Sequence, residues 1–226
     1  MELAWNMEYG KDQFVILMGG HHIEICVLNI IGHWLEDSGW SYVMAAANIK
    51  TEGRADAIQK GNETSRGQWA YQITLAALYH LRKEAYQVHI DETDRPRPMA
   101  FEEWCDHMDE NHPQFSYWNK TLKLLVLFLQ FLKSIREADF IMYRSVLRKL
   151  VPWMFGTDHF NYARWISIHL QDLNDLEKTC PDVHREFLKC HLFTQKSERR
   201  FSQLAHDQIH EQLNRGERRR LCDRNN

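Results

Sequence analysis

Between Leu122 and Leu132 the chain reads LKLLVLFLQFL, with only Lys123 and Gln130 interrupting the apolar run. Extended to Ile135, this segment is apolar around most of a helical circumference. Such a helix must be covered on several sides, which places it in the middle of a helical bundle. At eleven residues the run is far shorter than the roughly 18 to 20 apolar residues a membrane span needs. The rest of the chain suits a bundle: 226 residues can bury a substantial core, and only 10 Gly and 5 Pro interrupt it.

Helical spacing recurs elsewhere. Ile23, Val27, Ile30, Ile31 and Trp34 predict a helix over His21–Asp37, ended by Ser38-Gly39. Further helices are expected over Tyr42–Ile49, Gln68–Val88 (with Trp69, Ile73, Ala76, Ala77 and Leu81), Phe101–Met108, Pro113–Ile135, Phe140–Phe155, Tyr162–Asp175, Asp182–Lys189 and Phe201–Asn214. Lys50–Thr64 reads as a loop or ragged helix, and Asp91–Pro98 as a charged linker. One strand is predicted at Gln13–Met18, closed by Gly19-Gly20, and a weaker one at Leu192–Thr194. The expected class is therefore mostly α, an α+β chain with one or two short strands. Residues 1–214 are expected to form one domain, with a helical insert at about 60–150.

Charge is uneven. Arg215 to Asn226 carries +3, so the rest of the chain holds about −6 of the net −3. That tail reads as basic and disordered, and it is the sole sequence feature favouring DNA binding without catalysis. Five dispersed cysteines without a CxxC pair suggest free thiols in a reducing compartment. Met1–Lys11 lacks a basic region followed by an apolar run, so no secretory signal is expected. Together these predict an intracellular protein, nuclear or cytoplasmic, with no membrane partner.

Three constellations carry possible chemistry. On the last predicted helix Asp207 and Glu211 are four residues apart, hence neighbours on one face, with His210 between them. The pair could share a divalent ion or simply face water. Asp158-His159 follows a break at Pro152–Gly156; Asp158 could cap the next helix, or the pair could serve metal or acid–base chemistry. His21-His22-Ile23-Glu24 opens a helix after two glycines, a junction where α/β proteins place sites, but without a phosphate-binding glycine pattern. Cys180, His184, Cys190 and His191 match no closed zinc spacing.

Several segments in order resemble a family of uncharacterised eukaryotic proteins, a domain of unknown function that is multicopy in some animals and fungi. They are Phe14–Glu24, Gly32–Trp40, Phe101–Cys105, Pro113–Trp118, Ser134–Phe140, Val151–Phe155, Asp158–Trp165 and Asp207–Asn214. Multiplicity implies a transposon origin. The layout also resembles RNase H-like transposases, of which this chain would keep the helical insertion and C-terminal part. The resemblance implies Asp158, Glu211 and Asp207 as catalytic ligands of Mg2+ or Mn2+, two such ions cleaving phosphodiesters. His22, Glu24, His159 and His210 would support them. The chain departs from the family in three ways. It starts after the family's Asp-bearing strand, it replaces a glycine-rich continuation with arginines, and it has His21 where an apolar residue is usual. The expectation is thus a truncated remnant without independent catalysis. The alternative is a helical interaction or scaffold module that presents an exposed apolar groove to a protein partner or to itself, motivated by the Leu122–Leu132 helix and the eight Trp.

Overall fold

The computed structural model describes residues 15–92, 99–198 and 201–214. The basic tail Arg215–Asn226, residues 93–98 of the expected linker, and Gln13 and Phe14 of the expected first strand lie outside the described residues. The architecture is mostly α, a set of helices with one two-stranded antiparallel sheet. In chain order the helices are α1 (Gly20–Trp34), α2 (Trp40–Ala46), α3 (Glu52–Gln59), α4 (Thr64–Glu92), α5 (Phe101–Asn111), α6 (Pro113–Arg136), α7 (Phe140–Gly156), α8 (Phe160–Thr179) and α9 (Pro181–Leu188). The strands β1 (Thr194–Gln195) and β2 (Gln203–Leu204) follow, then α10 over residues 206–214. Among the described residues no helix is long and apolar enough to cross a membrane.

Among the described residues two compact units are present, one within 31–129 and one formed by 15–30 with 130–214. In the first, the indole Nε1 of Trp40 donates to Thr74 Oγ1 at 2.9 Å, so this buried aromatic leaves no unpaired polar atom on its ring. Trp34 stacks on Tyr117 at 5.3 Å, and its Nε1 donates to Thr121 Oγ1 at 2.9 Å. Gly32 lies against the end of α3, where a Cβ would overlap the Gln59 carbonyl, with the carbonyl carbon 2.6 Å away. In the second unit α7 packs along α8. Tyr143, Leu147, Leu150 and Met154 from α7, and Ala163, Ile166 and Leu173 from α8, are all buried. Phe140 meets Phe187 of α9 edge-on at 5.4 Å. Asp139 caps α7 by accepting from Met142 N at 2.8 Å.

The apolar run of α6 is buried as expected: Leu124, Leu125, Phe128 and Phe131 are almost fully covered. Other expectations need correction. Residues 15–18 are not a strand; among the described residues no neighbour supplies the ladder that an apolar run needs to become one. The second strand is shifted to Thr194–Gln195 and pairs with Gln203–Leu204. That pairing takes up Leu204, so the last helix starts at residue 206 and not at Phe201, which has a positive φ of 60°. Of the loop or ragged helix expected over Lys50–Thr64, the helix is what forms, as α3, with Ala55 and Ile58 buried. Cys26, Cys105, Cys180 and Cys190 are unpaired, and burial pushes the Cys26 thiol up to about 12.

Candidate functional site

The first turn of a helix leaves backbone N–H groups without intrahelical partners. In α1 two of these are satisfied by a side chain from the far end of the sequence. His21 N donates to Asp207 Oδ1 at 3.1 Å and His22 N to Asp207 Oδ2 at 3.0 Å. The carboxylate also receives the His22 ring, with Nδ1 2.8 Å from Oδ2. Gly19 and Gly20 make this approach possible. A Cβ on Gly19 would overlap the Asp207 carboxylate, with Cγ at 2.6 Å, and one on Gly20 would stand 3.0 Å from Ala205 Cβ. The two glycines therefore mark a docking point for α10 rather than the end of a strand.

Glu211, one turn further along α10, faces both imidazoles. Its Oε2 lies 3.7 Å from His21 Nε2 and its Oε1 3.9 Å from His22 Nε2. The other nitrogen of His21, Nδ1, is 3.3 Å from Glu24 Oε2, and both residues are buried. Two imidazoles thus alternate with three carboxylates. The hydrogen bond to Glu24 raises the pKa of His21 against the opposing effect of burial, and the charges of Glu24, Glu211 and Asp207 add to it. Burial opposes the charge on Asp207, yet the His22 ring and the two backbone N–H groups outweigh it and hold this carboxyl below its usual range.

The other expected site residues sit elsewhere. Asp158 does not cap α8, whose N-cap is His159 with no side-chain cap bond. Asp158 instead terminates α7. It has φ 61°, and the bond from His159 N to Met154 O at 2.8 Å closes a left-handed helix end around it, a position glycine usually takes. His159 Nδ1 lies 2.7 Å from Thr157 O. His210 is exposed on α10. Neither Asp158, His159 nor His210 takes part in the bonds that join Asp207 and Glu211 to α1. Among the described residues no three His, Cys, Asp or Glu side chains are arranged to hold a metal ion. Both Asp207 oxygens accept backbone N–H donors.

A second candidate lies wholly within the Ile31–Leu129 unit. A partly open groove of about 870 Å³ runs between α2, α4, the end of α5 and the start of α6. Its walls are apolar, with Trp40 and Met44 from α2, Ala77 and Leu81 from α4, and Phe115 and Trp118 from α6. Val43 and Leu81 remain about 60% exposed, well beyond what a closed core leaves. Arg82 and Asn119 are among its few polar lining residues. The sequence signal was present: Ile73, Ala77, Leu81 and Ala85 repeat every four residues along α4, and this stripe is the groove's long wall. Arg82 gave no such signal, since a lone arginine on a helix is usually a solvated charge.

The model of one family, a domain of unknown function designated DUF8702, matches residues 98–220, just over half of the chain. A search of curated proteins finds no match. A search of solved structures finds none either.

Proposed function

The chain belongs to the DUF8702 family of domains of unknown function, and we propose that it acts by binding, taking an aliphatic guest into the groove of the Ile31–Leu129 unit. The observation that carries this reading is the groove itself. Its volume of about 870 Å³ falls in the range of small-molecule sites, roughly 300–1,000 Å³, and its walls are almost wholly apolar. Leaving such walls in water forfeits about 25 cal/mol for each Å² that a guest would cover. The sequence predicts an interaction module with a protein or self partner; an aliphatic guest takes that place here.

Descent from a transposon-encoded, RNase H-like protein belongs to the proposal as ancestry only. It is supported by the order of the matching segments from Phe14 to Asn214. No cleavage step is built on Asp158, Asp207 and Glu211.

The test is titration of the full chain with the neutral dye Nile red, following its fluorescence, and with dodecanol as competitor. Saturable one-to-one binding displaced by dodecanol is expected. Ala77→Glu sets a charge on an exposed helical position of the groove wall, where Glu is a good helix former, so folding is retained. Burying that carboxylate against an apolar guest should weaken binding by tenfold or more. No saturable binding, or equal binding by the variant, would refute the reading.

A further inference from the structure

We propose that the guest is an amphipathic monoanion, an aliphatic chain ending in a carboxylate, and that Arg82 is its counter-ion; this rests on the groove being a binding site. Arg82 projects from α4 into the groove lining. Its Nη1 donates to Asn119 Oδ1 at 3.1 Å, and its Nε is buried with no acceptor. Among the described residues no carboxylate forms an ion pair with it. Asp109 stands beyond the buried Asn119 amide and is paired with Lys123 at 3.3 Å. A neutral amide stands between the guanidinium and this carboxylate, which already has a cation.

Tyr79 and Phe101 flank the guanidinium at 5.8 and 5.2 Å from their ring centres. The rings hold its plane and thin the water around it, which strengthens any charge it meets. An arginine fork presents paired N–H donors that match a carboxylate, and it retains its charge at all working pH. An apolar wall with one fixed, incompletely bonded cation suits a molecule built the same way: a long hydrocarbon with one anionic end. An acidic peptide would need further polar acceptors for its backbone, and the groove's few polar lining groups offer little for that.

The experiment compares dodecanoate with dodecanol as competitors of Nile red on the full chain, below their aggregation concentrations. The native protein should bind dodecanoate about tenfold more tightly than dodecanol, the scale of one hydrogen-bonded charge pair. That preference should shrink as salt rises. Arg82→Met keeps the stem and removes the charge, so the two affinities should converge to within about twofold; Arg82→Lys should keep part of the preference. Equal affinities on the native chain, or a preference that survives in Arg82→Met, would overturn the inference while leaving the groove a binding site. The native ratio needs no variant and decides the matter if Arg82→Met does not fold. Failure of both ligands to displace the dye overturns this inference together with the reading beneath it.

Discussion

Replacing Gly19 with alanine tests whether the α10–α1 junction is held by the Asp207 carboxylate. Gly19 precedes the helix and has no positive φ, so its backbone suits alanine. With no clash, Gly→Ala would stabilise by about 0.4–1 kcal/mol through the unfolded chain. Here the new Cβ would overlap the carboxylate and displace it. That frees two helix N-terminal donors and the His22 ring, bonds of 3.1, 3.0 and 2.8 Å. From cap substitutions and charge-assisted hydrogen bonds the loss should be about 2 kcal/mol. In a chain of this size that lowers Tm by roughly 4–8 °C. Asp207→Ala should cost a similar amount. The decisive measurement is the double variant, by urea unfolding at pH 7. Once the carboxylate is gone, only Asp207 Cβ remains near, at 3.0 Å, so Gly19→Ala should become neutral or mildly stabilising. The coupling should be about 2 kcal/mol, within the range for residues in direct contact. Additive costs would show that Gly19 is required for some other reason and that the carboxylate does not hold the junction.

Two further predictions address other positions. Asp158→Gly should raise stability by about 0.5–1 kcal/mol, because Asp158 is exposed and holds a left-handed conformation that glycine adopts without strain; a fall in Tm would count against the helix-end role. His169 is buried with Nε2 unpaired, and burial lowers its pKa from 6.5 to about 4. Between those values the unfolded chain binds the proton first, so stability is lost as pH falls. His169→Leu should remove about 2 kcal/mol of the native chain's decline between pH 7 and pH 5, read from paired urea curves at the two pH values. Parallel pH profiles would refute it.

The α6 run and the helical periodicities were legible because burial of one face leaves a period in the sequence. The Asp207–Glu211 pairing on one face was legible for the same reason. Its partners were not. Contact between residue 207 and residues 21–22 depends on tertiary docking, and its only local trace is the absence of side chains at Gly19 and Gly20, which a strand end also explains. Asp158 does not take the cap role that Asp favours at N-caps, because the left-handed end of α7 is set by a hydrogen bond back to Met154. The expected end at Phe155 falls within one residue of the observed Gly156, and the left-handed residue follows two positions later. The groove was half visible: the α4 stripe showed an apolar face, but whether another helix covers such a face is decided by packing.

The bond between Asp207 and the start of α1 spans 186 residues of sequence. In an otherwise unstructured chain, closing a loop of that length costs about 5 kcal/mol of entropy. The cap therefore cannot form early; it can only follow collapse of the segments between. During synthesis α1 precedes the other described helices, yet its leading N–H groups find the Asp207 acceptor only once the last described helix is made. At about 5–20 residues per second that interval lasts from roughly ten seconds to half a minute. A chain interrupted before residue 207 thus carries an open first turn that a chain extending through α10 does not.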